Sequence, residues 1–320
     1  MTITPEQLIA RKNSLGSSDI AALFTDTEGK SLDPFKTAKD VWISKVFDLA
    51  PMKETKAIKR GNRHEAAMVE YACEELGCPI NTNPAMMNKV CEGHPIFVAN
   101  LDGITLPPYP DGMESQAVVE AKTSGLADEW GEPGTDAVPF RVLLQVQHQM
   151  LCSGYKRAYI APLLGGHFGL NEEMYIVDRS PEIIYGEGGI VDKGTQFWHE
   201  HVLPKVEPPD AEPGNIDLLK RIRRVPSKYA EVDEQVVLRW DELRLARLEA
   251  NKAYEDQFTH LLSKVGDAEG ILLPDGRTWT YFKQKRADKV DLKKLKTEHP
   301  DIYAEISEPN TCRVARLKKA

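Results

Sequence analysis

A mixed α/β fold followed by a mainly helical extension is the class this sequence predicts, and three observations predict it. Up to residue 204, helix-spaced and strand-spaced apolar patterns alternate. Across 204–215 the run PKVEPPDAEPGN carries Pro204, Pro208, Pro209 and Pro213, which forbid a helix interior or a central strand. Beyond it, one long helical pattern dominates. Residues 1–204 are therefore expected to form the main domain and 205–215 a Pro-rich linker. Residues 216–320 are expected to form a helical extension with a β-hairpin and a basic tail. A length of 320 residues suits one large domain or two ordinary ones.

Each element has its own signal. Pro5–Lys12 reads as a helix, and Gly16-Ser17-Ser18-Asp19 as the cap of a second one before Ile20. Gly61–Leu76 reads as a helix stopped by Gly77. Its apolar stripe is Val69, Ala72, Cys73 and Leu76, with Glu65 one turn earlier on the same face. Strands are expected at Pro95–Ala99, continuing past a bend into Asp102-Gly103-Ile104, and at Ala117–Lys122. In the latter, Val118, Glu120 and Lys122 share one face by alternation. After a Gly/Pro-rich loop over Thr123–Val138, Pro139 opens a helix to about Cys152, with Gln145 and Gln149 facing the same way and His148 beside them. Arg157–Leu164 and Glu173–Asp178 read as an antiparallel pair, and Ser180-Pro181 as the cap of a helix reaching Val202.

Past the linker, Lys228–Lys264 reads as one helix striped by Val236, Trp240, Leu243, Ala250, Tyr254, Phe258 and Leu262. Trp198, Trp240 and Phe258 are expected in the core. Ile271–Leu273 and Arg277–Phe282 make a hairpin through Pro274-Asp275-Gly276. The remainder gives two short helices and a final strand.

Composition narrows the function classes. With 41% hydrophobic and 28% charged residues, a disordered chain is excluded. No apolar run approaches the roughly 18 residues a membrane span needs, and the N-terminus shows no secretory signal, so a cytoplasmic protein is expected. The five cysteines are odd in number and form no CxxC pair, which argues against a disulfide framework or a zinc ribbon. A net charge of −8 argues against a protein that coats nucleic acid non-specifically. The charge is uneven, however: residues 281–320 hold 11 Lys and Arg against 6 Asp and Glu. That tail is either a solvated face or one wall of a DNA path.

Three acids and a lysine carry the chemistry. Glu65 interrupts an apolar helix face, where an unpaired carboxylate is costly. Glu120 and Lys122 project together from a strand otherwise built of Ala117, Val118, Val119 and Ala121, and Asp102 sits at a strand bend. Charges on a face that ought to be core mark a site. Hard oxygen donors without a His/Cys cluster favour Mg²⁺ or Mn²⁺ over zinc.

The ordered set Gly61-x-x-x-Glu65, Asp102-Gly103, Val118-Val119-Glu120-Ala121-Lys122-Thr123 and Gln145-Val146-Gln147-His148-Gln149-Met150 resembles the PD-(D/E)XK nucleases. Within them it is most similar to the lambda exonuclease branch, the YqaJ-type viral recombinases or phage alkaline exonucleases. The likeness spans about Ile9 to Phe197. It includes Arg11…Gly16-Ser17-Ser18-Asp19-Ile20 and the loop Trp130-Gly131-Glu132-Pro133-Gly134.

The resemblance implies a restriction-endonuclease-like core, with a mixed central sheet flanked by helices. It also implies a Mg²⁺-dependent (Mn²⁺ substituting) exonuclease that degrades double-stranded DNA ends 5′ to 3′ and leaves 3′ overhangs for phage-type recombination. By the same resemblance Asp102, Glu120 and the Ala121 carbonyl bind metal, and Glu65 supports a second metal. Lys122 orients or deprotonates the attacking water, or stabilises charge as an ammonium. Gln145 orients the nucleophile or Lys122. Arg11 and Ser18, with Ser17 beside them, hold the terminal 5′-phosphate; without the resemblance Ser18 is only a cap and Arg11 surface. A trimeric ring around the duplex, a single-strand annealing partner and a bacterial host cytoplasm follow from the family alone. Iron–sulfur relatives need four suitably placed cysteines; Cys73, Cys78, Cys91, Cys152 and Cys312 lack that arrangement, so no cluster is expected. The alternatives are a RecB-type or structure-specific endonuclease and a non-catalytic DNA-binding recombination scaffold.

Overall fold

The computed structural model describes residues 11–52, 54–110, 112–125, 127–166, 169–209, 215–281 and 291–307. Most of the expected opening helix, Cys312 and the expected final strand lie outside these residues. The chain divides into two compact units, 1–224 and 225–320. Among the described residues no helix is long and apolar enough to cross a membrane.

The first unit is built on a mixed sheet. Strands β1 (Leu15–Gly16), β3 (Asn88–Val90) and β4 (Phe97–Asn100) form a small sheet in the order β1-β4-β3. The larger one takes β2 (Ile80–Asn81), β5 (Gly103–Thr105), β6 (Val118–Ser124), β7 (Arg157–Gly166), β8 (Gly169–Glu172) and β9 (Tyr175–Asp178). Its order is β2-β5-β6-β7-β8, with β9 also pairing β7. β6 and β7 run parallel and every other pair in this sheet is antiparallel. A parallel pair needs a crossover, and the helix Phe140–Ser153 supplies it.

Alternation along β6 then sorts side chains into two layers. Val118 joins the main core with Leu144, Ile160 and Phe97, whereas Val119 joins Met68, Ala72 and Ala161 under the helix Lys56–Leu76. This sheet with helices on its faces is the architecture expected from the sequence.

Boundaries follow from local chemistry. The Lys56–Leu76 helix ends where expected because Gly77 takes φ 58°, a conformation glycine adopts without strain. It begins a turn earlier than the apolar stripe suggested, because the Thr55 hydroxyl accepts from the Ile58 N–H. The helix after Ser180 stops at Tyr185, where the Gly186–Gly189 segment interrupts it, and resumes at Ile190. Past the Pro-rich stretch, Ile216–Arg221 is a helix of the first unit: Leu218, Leu219 and Ile222 pack on its core, and the Ala50 N–H donates to the Arg221 carbonyl. The apolar side of this short helix thus finds its partner within the first unit.

In the second unit the long helix runs from Glu234 to Val265, capped by Asp233. The hairpin pairs Gly270–Leu272 with Thr278–Thr280. It reaches only the far end of the helix, where Phe258 meets Tyr281 edge-on at 5.8 Å. Val236, Leu243 and Tyr254 are therefore exposed, and Trp240 is 39% exposed rather than in a core as the stripe suggested. Trp198, in the first unit, is buried as expected. Leu292–Glu298 and Pro300–Ile306 form the two short helices.

Candidate active site

The site is assembled from both layers of the main sheet. Helix Lys56–Leu76 brings Glu65, the turn before β5 brings Asp102, and β6 brings Glu120, Ala121 and Lys122. All line one cavity of about 280 Å³. Gly103 allows β5 to close on β2 beside Asp102, since a side chain there would meet Ile80 Cγ2 at 2.6 Å. The Ala121 N–H donates to Asp102 Oδ2 at 2.9 Å, tying the bend to the strand.

Glu120 is almost wholly buried and is held by three donors. Lys122 Nζ lies 2.5 Å and Gln145 Nε2 2.7 Å from its Oε1, and Gln149 Nε2 lies 2.6 Å from its Oε2. Gln145 also accepts from Lys122 Nζ at 2.8 Å, so it bridges the carboxylate and the ammonium. This works because Glu120 shares the face of Val118, toward the helix that carries both glutamines. Sequence spacing placed Gln149 on the side of Gln145; its direct hold on Glu120 depends on the crossover geometry and was not legible.

Electrostatics single out Asp102. Burial pushes its carboxyl well above the usual carboxylate range, and the charges of Glu120 and Glu65 push the same way. Lys122 and the Ala121 N–H oppose them without prevailing. Among the described residues, no three His, Cys, Asp or Glu side chains stand close enough together, as placed, to hold a metal ion between them. The donor set still fits a hard divalent cation. Its ligands would be carboxylate oxygens, and a cation would offset both the burial and the acidic neighbours that raise Asp102.

Arg11, Ser17 and Ser18 belong to a different cluster. Ser17 is the buried first residue of a seven-residue 3₁₀ helix, Ser17–Leu23, while Ser18 and Arg11 are exposed. The expected α-helical N-terminus is not formed, and the Gly16 N–H is met by the Asp19 carboxylate at 3.3 Å. Asp19 is the centre of this cluster. Lys45 Nζ donates to Asp19 Oδ2 and to the Arg11 carbonyl, both at 2.8 Å. Lys36 Nζ donates to Asp19 Oδ1 and to the Ser18 carbonyl, both at 3.1 Å. The backbones of Arg11 and Ser18 are thus tied through one carboxylate.

Sequence reasoning missed the two lysines, yet a signal existed. Lys45 follows Val41 by four residues on a buried helix face, the same interruption that marked Glu65. His148 packs edge-on against Phe97 at 5.7 Å, within the field of Asp19, and is a core histidine rather than a member of the carboxylate cavity. His64 lies outside that cavity's lining as well.

Residues 7–156 match the YqaJ-like viral recombinase domain family. The chain is 23% identical to the uncharacterized protein YqaJ of Bacillus subtilis (strain 168), over 98% of this chain and 94% of that protein. Among solved structures, it is similar to an alkaline exonuclease from Laribacter hongkongensis, with 15% identity and a TM-score of 0.47 over 64% of this chain and 95% of that one. It is also similar to a phage related exonuclease from Haemophilus somnus 129PT, with 15% identity and a TM-score of 0.42 over 60% and 96%. The segment that matches this family model carries Glu65, Asp102, Glu120, Lys122 and Gln145.

Proposed function

We propose that the chain is a divalent-metal-dependent exonuclease that degrades double-stranded DNA from its ends, 5′ to 3′, and leaves 3′ overhangs for recombination. The observation that carries this reading is the convergence of Asp102, Glu120 and Lys122 on one cavity, with a carboxyl whose proton affinity is raised by burial and by its acidic neighbours. The recombinase family supports DNA as the substrate class.

In this reading Asp102 and Glu120, with the Ala121 carbonyl, hold Mg²⁺ or Mn²⁺, and Glu65 supports a second ion. The metal, when bound, supplies positive charge for the phosphate in the transition state and lowers the pKa of water. The chain's own groups do the rest. Lys122 stands where an ammonium stabilises developing charge or an amine takes the nucleophile's proton, and Gln145 fixes its position from one side and Glu120 from the other. Arg11 and Ser18 select the terminal 5′-phosphate. A trimeric ring with its basic side chains turned inward would reconcile a chain of net charge −8 with DNA. A single-strand annealing protein would take the overhang.

A nuclease assay on linear and closed circular duplex, with Mg²⁺ or with chelator, tests this. Linear DNA is digested only with metal, and closed circles resist. Asp102→Ala and Glu120→Ala each abolish cleavage while the fold persists. Lys122→Ala loses at least ~10²-fold in rate, the scale of one general-base or charge-stabilising group, while DNA binding changes far less. Near-normal turnover in Asp102→Ala or Glu120→Ala would falsify the site. Equal cleavage of circles and linear DNA would move the protein to the endonucleases.

A further inference from the structure

We propose that Gln149 is a positioning residue that sets the carboxylate of Glu120 for a divalent cation; this rests on the metal-dependent reading above. Gln149 is 0% exposed and donates through Nε2 to Glu120 Oε2 at 2.6 Å, while its own Oε1 is buried with no partner. Turning the amide over would set Oε1 against Glu120 Oε2 in place of a donor, so the contact with Glu120 fixes this orientation. An apolar side chain of similar size would avoid the orphaned oxygen. What it could not do is donate to Glu120. The position is organised around the carboxylate rather than around packing.

Two neighbouring glutamines sharpen the point. Gln147, two residues earlier and 1% exposed, uses both ends of its amide: Nε2 donates to the Asp178 carbonyl at 2.8 Å, and Oε1 accepts from the Ser180 N–H at 2.9 Å. That is a structural tie between the helix and the end of β9. Gln145 serves Glu120 Oε1, which Lys122 also occupies. Oε2 receives only the Gln149 donor among these side chains, which leaves it acceptor capacity for a cation. The last torsion of a glutamate is soft, so without Gln149 the carboxylate swings about the single oxygen that Lys122 and Gln145 hold.

The experiment measures Mn²⁺ binding to the full chain without DNA, from the EPR signal of free Mn²⁺, together with thermal melting. Gln149→Met keeps the volume and removes the donor. Its Mn²⁺ Kd is expected to rise about 10–100-fold, the range for losing a residue that orients a metal ligand, with the melting temperature held or raised. Gln147→Met is expected to do the opposite, melting earlier with Mn²⁺ affinity unchanged. Gln149→Asn keeps an amide but shortens its reach by one carbon, and gives the same loss of affinity in a core disturbed differently. A folded Gln149→Met or Gln149→Asn that binds Mn²⁺ as the parent does would overturn the proposal. A parent chain that binds no Mn²⁺ would overturn the metal reading, and this inference with it.

Discussion

Two clusters of charge lie in the first unit, and they are balanced in opposite ways. Around Asp19, two ammoniums share one carboxylate. Burial alone would raise that carboxyl, but the charges and hydrogen bonds of Lys45 and Lys36 hold it far below the usual carboxylate range. Around Asp102, burial and the neighbouring acids Glu120 and Glu65 raise the carboxyl, and Lys122 opposes them without prevailing. A charge cluster that completes itself holds backbones together, as Asp19 does for Arg11 and Ser18. One that does not complete itself costs stability when alone and is suited to a cation arriving from outside. Position separates them further: Lys45 is 4% exposed, whereas Lys122 is 26% exposed and faces the open cavity.

The strongest way to break this comparison is to neutralise the central acid of each cluster. Asp19→Asn leaves Lys45 buried without its counter-charge and is expected to cost about 3–5 kcal/mol, as for other broken buried pairs. Asp102→Asn removes a repelled charge and is expected to be neutral or to stabilise by about 0.5–2 kcal/mol, while cleavage is lost. Urea unfolding in chelator measures both. Losses of equal size would mean that the carboxylates at the cavity are as well compensated as Asp19, and the case for a cation there would fall.

The two clusters also differ in what acid does to the fold, with His148 on the side of Asp19. Asp19 has a folded pKa below its unfolded 3.8, so its stabilisation is complete above that value and is lost as pH falls below it. His148 is lowered from 6.5 to about 3, chiefly by burial, and is neutral in the fold. The unfolded chain takes up its proton first. Stability therefore falls as pH drops from about 6.5 toward 3, by at most about 1.4 kcal/mol per pH unit. Replacing the ring by another that cannot titrate, His148→Phe, is expected to flatten unfolding free energy against pH in that window and to leave the steeper fall below 3.8. An unchanged slope in His148→Phe would place the proton uptake elsewhere.

How legible all this was in the sequence depended on how local the signal is. β6 and the Gln helix were readable because alternation and 3.6-residue spacing act within a few residues, and Gly77 and Pro139 mark their own boundaries. The gathering of Glu65, Asp102, Glu120 and Lys122 followed from a family pattern, since nothing local says that a helix and two strands meet. The hold of Gln149 on Glu120, and the tie of Asp19 to lysines 17 and 26 residues away, are tertiary facts without a periodic signature. The stripe on the long helix erred in the other direction. Heptad-like spacing around Trp240 says that a face is apolar, not that anything covers it.

The smallest expected effect sharpens the comparison most, because it asks whether the surplus positive charge around Asp19 is used. Lys36 is 39% exposed, touches the Ser18 carbonyl, and has a third ammonium hydrogen beyond its two contacts. A terminal phosphate carries more negative charge than an internal diester, so an exposed ammonium and the Arg11 guanidinium favour it. An exposed charge pair is worth up to about 1 kcal/mol, or roughly fivefold. Linear duplex bearing a 5′-phosphate is therefore expected to be digested faster than its 5′-hydroxyl counterpart. Lys36→Gln should lower that ratio by a few-fold and Lys36→Arg should keep it. Arg11→Ala, which also removes a fork of donors, should erase most of it without touching Mn²⁺ binding. Initial rates on the two substrates give the ratio for each variant. If Lys36→Gln and Arg11→Ala both keep the parent's ratio, the Asp19 cluster is a backbone tie and nothing more, and end selection lies elsewhere in the chain.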